Sequence, residues 1–364
     1  MKITRVEPIH ISVPYRYGGG LQKADAIPWT NMETLLVKVE TDEGITGWGE
    51  GFGFGVCGIT RVAVERAVAP LAAGRDPQDI AALMTDLARK LHNYGNNGPV
   101  SFALSGLDIA LWDIAGQIAG KPLFQMLGGA PIKRMPAYAS LLRYGSADLV
   151  ERYSEEALAR GYTRVKLHEN GEKEVAAVRK VIGDNTALMV DTNCPWGADE
   201  AVAMARKFQP YNLMWLEEPV WPPDDCHALA RVQAEGGVPV ASGENGGTFD
   251  DMRALIETAH IDYVQPSVTK IGGVSMMMKV AEFARRNDTQ LAPHSPYFGP
   301  GLIATQHICA ALPEQPPVER FYCELEASPF GEQVNAHDGH FDIPDAPGLG
   351  LVVDPAVIDK YRVG

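Results

Sequence analysis

Several classes of protein are excluded by what this chain is short of. Cysteine is scarce, with five residues in 364 (Cys57, Cys194, Cys226, Cys309 and Cys323). The number is odd and no CxxC spacing occurs, so neither a disulfide framework nor a thiolate zinc site is suggested, which fits a reducing, cytoplasmic setting. Positive charge is in deficit: 32 Lys and Arg face 46 Asp and Glu, a net charge of -14. That argues against non-specific nucleic-acid binding, which needs clustered cations. It leaves open an anionic small-molecule substrate, because a metal ion and a few local cations can reverse the field inside a pocket. No run approaches the roughly 18 consecutive apolar residues of a membrane span. The opening MKITRVEPIHISV carries scattered charges and reads as a strand, without the apolar centre of a signal peptide. Neither GxGxxG nor GxxxxGK[ST] follows any strand-like run, which weakens a nucleotide-binding reading.

What is present is ample apolar material, 46% of residues, arranged in two styles. Residues 1–127 read as an α+β unit. ITRVEPIHISV and METLLVKVETDEGITGWGE alternate as strands do, with DEG as a hairpin turn. Ala103, Leu107, Ala110, Leu111, Ile114 and Ile118 then recur at helical spacing, and Gly120 with Pro122 stops the helix. From residue 128 to 339 the pattern becomes strand–helix pairs, with strands expected at MPAYASL, TRVKLH, ALMVDTN, LMWLEEP, VPVASGE, IDYVQPS, TQLAPHS and VERFYCE. Short apolar strands alternating with amphipathic helices indicate parallel strands covered on both faces, and eight of them suit a β/α barrel. An open doubly wound sheet is the alternative. The Gly- and Pro-rich tail, about 340–364, is expected to run back along the N-terminal unit.

Polar residues gather where the barrel strands stop: Lys166 and His168, Asp191 and Asn193, Glu217 and Glu218, Glu244, Ser267, then His294. In a barrel these ends converge on one face, where active sites form. Asp191, Glu217 and Glu244 end three consecutive strands. Three carboxylates sharing one volume repel unless a cation neutralises them, and a hard divalent ion such as Mg²⁺ suits an all-oxygen set. Strand alternation lets only one of Glu217 and Glu218 enter the site. A metal held there can chelate a substrate carboxylate and acidify the adjacent C–H. Lys166 or His168 on one side and His294 on the other are the candidate bases and acids.

Together with SGLDIALWDIAGQIAGKPLFQMLGG, VDTN, WLEEP, PVASGEN, QPSVTKIGG, the late His294 and VERF, this order of motifs resembles the enolase superfamily in its mandelate racemase / muconate lactonizing branch, over nearly the whole chain. The resemblance implies an α/β architecture: a modified (β/α)7β TIM-like barrel under an α+β capping domain made from both chain ends. It implies one Mg²⁺ on Asp191, Glu217 and Glu244, a symmetric homo-oligomer from dimer to octamer, and cap loops at residues 15–30 and 50–58 closing over the substrate. Tyr15, Tyr17, Trp29, Phe52 and Phe54 on those loops are candidate pocket walls, with Asn193 and Ser267 as further substrate contacts. Glu319 matches the late glutamate, a possible donor to the substrate carboxylate, with Glu324 as a second candidate.

Two departures shape the functional expectation. The usual Lys-x-Lys is Lys166-Leu167-His168, and the Asp of the family's His–Asp dyad is Ser267. Lys270, three residues on, is a poor substitute at that position. Asymmetric acid and base groups suit β-elimination better than a two-base racemase. Acid-sugar dehydration to a 2-keto-3-deoxy acid is therefore the leading expectation. A cycloisomerase opening a lactone or anhydro ring comes next, then an epimerase, and from another class a metal-binding barrel without catalysis. Gly272 and Gly273 are read as a tight turn before a helix, with a phosphate cradle as the lesser reading.

Overall fold

The structure, a computed structural model, describes residues 1–19 and 29–364. The middle of the expected lid segment, residues 20–28, lies outside the described residues.

The cap sheet is antiparallel. Strand β1 (Ile3–Arg16) pairs with β2 (Asn31–Thr41), and β2 turns at Gly44 into β3 (Thr46–Gly51), the hairpin expected at DEG. On β3 every second residue is glycine, which leaves one face without side chains. The helix Pro99–Ala119 lies against that face so closely that a Cβ at Gly49 would stand 1.9 Å from the carbonyl oxygen of Gly106. Gly120, with φ 62°, ends this helix where the sequence indicated. Two expectations need correction here. Ile118, assigned to the apolar face, is 40% exposed, because the last turn overhangs the sheet it packs on. The helix is also long and apolar enough, by length and composition alone, to cross a membrane. It is 67% buried within the protein and carries the buried carboxylates Asp108 and Asp113, so its apolarity serves a packed interior.

The barrel strands are β4 (Arg134–Ser140), β5 (Arg164–Leu167), β6 (Ala187–Asp191), β7 (Leu213–Glu217), β8 (Val240–Ser242), β9 (Tyr263–Val264), β10 (Gln290–Leu291) and β11 (Val318–Phe321). They form one parallel sheet in which β11 returns to lie beside β4, and each of the first seven is followed by a helix. That is the (β/α)7β arrangement. Strands β9 and β10 are shorter than their motifs because Pro266 and Pro293, which lack an N–H, interrupt the ladder. Between β10 and β11 a side chain bridges the seam: Ser295 N–H donates to Glu319 Oε2 at 2.8 Å. Tyr138, Met189, Trp215, Ala241 and Ala292 fill the interior as one cluster, giving the site a solid floor.

VERFYCE does not form one strand. It breaks after Phe321, and β12 (Glu324–Leu325) joins the cap sheet beside β1. The tail begins with β13 (His340–Asp342), which pairs with β4 of the barrel. It then runs along the cap: Leu349 N–H bonds Asp113 Oδ1 at 2.8 Å, and Val363 N–H bonds the carbonyl of His10 at 2.8 Å.

Cap and barrel are clamped by buried carboxylates at helix starts. Asp108 of the cap accepts from Ser275 N–H at 3.0 Å and Ser275 Oγ–H at 2.6 Å, at the start of helix Gly273–Arg286. Glu50 accepts from Gly301 N–H at 2.8 Å, at the start of helix Pro300–Ala311. The Gly272–Gly273 turn is therefore filled by the protein's own carboxylate and is no phosphate cradle: a Cβ on Gly273 would lie 2.3 Å from Asp108 Oδ1.

Candidate active site

Asp191 and Glu217 are the last residues of β6 and β7 and face each other in register. Glu244 lies two residues beyond β8. One oxygen from each carboxylate lies within 4.8 Å of the others, so the strand ends converge as the sequence indicated. The set is buttressed: Trp215 Nε1–H donates to Glu217 Oε2 at 2.8 Å, and Asn193 Nδ2–H to Asp191 Oδ1 at 2.9 Å. Three carboxylates of this spacing, two buried and one half-buried, with no thiolate among them, fit a hard divalent cation.

Lys166 is fully buried, with Nζ 2.9 Å from Glu217, 3.1 Å from Glu319 and 3.6 Å from Asp191. Burial alone would lower its pKa, but Glu217 and the neighbouring carboxylates raise it well above the ordinary lysine value. Burial, with crowding by Asp191, Glu319 and Glu244, raises Glu217 to about 7 against the pull of Lys166. For Glu244 burial acts upward, but His294 and Lys270 outweigh it and hold the carboxyl well below the usual range.

The two histidines stand on opposite sides of the trio. His168 Nδ1 is engaged by the Leu141 carbonyl at 2.6 Å, which turns Nε2 toward Asp191 Oδ2 at 3.2 Å. His294 Nδ1 meets Ser267 Oγ at 2.6 Å, and its Nε2 lies 2.9 Å from Glu244 Oε2. Both line a cavity of about 370 Å³ with Asp191, Asn193, Glu244 and Glu319, under a wall of Trp29, Phe52 and Phe54.

Other expectations change. Glu218 is also buried beside the trio: it has φ 47°, so strand alternation no longer governs it, and Asn245 Nδ2–H bonds its carboxylate at 2.7 Å. Tyr15 does not line the cavity; its hydroxyl holds the Trp29 carbonyl at 3.1 Å. Tyr17 is likewise not among the residues lining the cavity, and packs 5.6 Å ring to ring from Tyr144. Ser267 is fully buried and reaches the cavity only through His294. Glu324, on the cap strand, is ion-paired with Arg160 at 2.6 Å, away from the site. Glu319 accepts from Lys166 and Ser295 rather than donating.

Lys270, set aside on spacing, does line the cavity, with Nζ 2.9 Å from the Glu244 carbonyl and 4.3 Å from the centre of the Phe52 ring. The backbone between Ser267 and Lys270 turns, so sequence distance overstated their separation. Arg143, just past β4, was missed. Its Nε–H donates to the His168 carbonyl at 2.6 Å, and it lines the same cavity. The signal was available, since Arg143 is the first charged residue after that strand.

Residues 148–357 match the family "Enolase C-terminal domain-like", and residues 28–128 match the N-terminal domain of the mandelate racemase / muconate lactonizing enzymes. The chain belongs to the mandelate racemase / muconate lactonizing enzyme family. It is 30% identical to an arabinonate dehydratase of Saccharolobus solfataricus, over 91% of each chain. It is 31% identical to a 3,6-anhydro-alpha-L-galactonate cycloisomerase of Streptomyces coelicolor, over 92% of each. Among solved structures, a racemase from Streptomyces coelicolor A3(2) with bound magnesium superposes with TM-score 0.86 at 28% identity, covering 99% of this chain and all of that one. In this family the protein is an enzyme of the lyase or isomerase kind.

Proposed function

We propose that this enzyme is a Mg²⁺-dependent lyase that removes the proton α to the carboxylate of an acid sugar and expels the β-hydroxyl as water, leaving a 2-keto-3-deoxy acid. The observation that carries the reading is the pair of imidazoles flanking one carboxylate trio, His168 at 3.2 Å from Asp191 and His294 at 2.9 Å from Glu244. Asp191, Glu217 and Glu244 would hold the ion. Bound Mg²⁺ supplies the positive charge that binds a substrate carboxylate and stabilises the negative charge developing as the α-proton leaves.

His168 is favoured over Lys166 as the base because it lines the cavity, whereas Lys166 is enclosed among three carboxylates. Its Nδ1 is engaged by a backbone carbonyl, so Nε2 is the atom that takes the proton. The electron pair of the broken C–H bond forms the new C=C bond as the β-C–O bond breaks. His294, held by Ser267, gives its proton to the departing hydroxide, and the resulting enol tautomerises to the ketone. Lys166 offsets the excess negative charge behind the site.

The test is a panel of acid sugars and their lactones incubated with Mg²⁺ and assayed with semicarbazide for 2-keto product. Recovery of epimerised substrate carrying solvent deuterium, without keto product, would replace the reading by an epimerase. A second reading is favoured by the aromatic wall of Trp29, Phe52 and Phe54, which suits the C–H face of a ring. The same two histidines would then open a lactone or anhydro ring, with His294 protonating the ring oxygen.

A further inference from the structure

His10, Glu33 and Cys57 come from three separate elements of the cap, and the catalytic reading uses none of them. His10 lies on β1, Glu33 on β2, and Cys57 opens the short helix Cys57–Ala63 that follows β3. His10 and Cys57 are buried, at 8% and 1% exposure, and Glu33 is half-buried. One ligand atom of each lies within 4.8 Å of the other two, and His10 Nε2 stands 3.2 Å from Glu33 Oε1. Zn²⁺ bonds of about 2.0–2.3 Å to N, O and S in a tetrahedron place neighbouring donors roughly 3.2–3.7 Å apart. The imidazole–carboxylate pair already has that spacing. The sulfur has space made for it, since a Cβ at Gly53 would lie 2.2 Å from Cys57 Sγ.

We propose that His10, Glu33 and Cys57 form a second metal site, in the cap, that takes a borderline-soft divalent ion such as Zn²⁺ with water as a fourth ligand. Nitrogen, sulfur and one carboxylate oxygen suit such an ion and not Mg²⁺, so the cap site and the all-oxygen site in the barrel select different metals. Ligation releases the Cys57 thiol proton to solvent. The absence of CxxC did not reveal this set, because its three donors meet only through the fold. The site would brace the pocket wall. Glu33 Oε2 accepts from Gly55 N–H at 3.2 Å, and Cys57 follows two residues later, so both ends of the turn beside Phe54 would be held by one ion.

The test uses the full-length, chelator-stripped protein with excess Mg²⁺ to fill the barrel site, titrated anaerobically with Co²⁺. One equivalent should develop near-ultraviolet thiolate-to-cobalt charge-transfer absorption. The absorption should vanish in C57S and persist in C194S, the control for the cysteine nearest the barrel trio. No thiolate band in the wild type, or a band that survives in C57S, overturns the proposal. Should C57S fail to fold, E33Q serves: Co²⁺ affinity lowered tenfold or more supports the site, and unchanged affinity overturns it. The readout is independent of turnover, so it stands or falls apart from the reaction proposed above.

Discussion

Ser267 Oγ lies 2.6 Å from His294 Nδ1, both of them buried. It occupies the place where the family pattern puts an aspartate, and it orients the imidazole without adding a negative charge beside it. On the elimination proposed above, that suits an acid acting at one step rather than one of two matched bases. The ring is fixed, but an imidazolium there gains no ion pair from that side.

Ser267→Ala should free the ring while leaving the cavity shape intact. Loss of one such orienting hydrogen bond is expected to lower kcat about tenfold to a hundredfold with little change in KM. Ser267→Asp should instead move the alkaline limb of the pH–rate profile upward, because a carboxylate at Nδ1 favours the protonated ring and His294 acts as the acid. Steady-state kinetics across pH would check both.

Metal removal should abolish turnover, and Mg²⁺ should restore it. Because the trio converges only in the folded chain, Mg²⁺ at a hundred times its Kd should also stabilise the fold by about 2.7 kcal/mol. Asp191→Asn should erase most of that gain. Thermal unfolding with and without Mg²⁺ reads this directly.

Lys270 donates to the Glu244 carbonyl and presents its charge to the cavity beside Phe52. Lys270→Met should raise KM for an acid-sugar substrate roughly tenfold or more, since a charge-assisted hydrogen bond is lost from bound substrate, with a smaller effect on kcat. An unchanged KM would remove Lys270 from substrate binding.

Asp108 joins cap to barrel, and burial raises it to about 7 against the bonds from Ser275 and Val274 that lower it. The native state thus keeps a proton that the unfolded chain gives up near its ordinary 3.8. Stability from this group is fully present below that lower value and is lost as pH rises toward 7. Between pH 5 and 7.5 the loss is on the order of 3 kcal/mol. Asp108→Asn should remove most of that slope, as urea unfolding at the two pH values would show.

The barrel and the meeting of Asp191, Glu217 and Glu244 were legible because each depends on short-range pattern: β-period runs, then an acid where the run stops. The limits were equally physical. Alternation admitted only one of Glu217 and Glu218 to the site, and Glu217 is the one in the trio, but it did not show that Glu218, past the strand end at φ 47°, would be buried too. VERFYCE looked continuous, but its second half answers to β1 of the cap, a pairing across more than 300 residues that local pattern does not carry. Lys270 was lost in the same way: spacing along the chain says little once a turn folds it back. His10, Glu33 and Cys57 meet only in three dimensions.

The central claim is that His168 takes the α-proton and His294 completes the elimination. It is tested most directly by ¹H NMR in D₂O with Mg²⁺ and an acid sugar that the wild type converts. His294→Asn should exchange the α-proton of recovered substrate for deuterium while forming little 2-keto product, and His168→Asn should do neither. Exchange that persists in His168→Asn and disappears in His294→Asn would contradict the account.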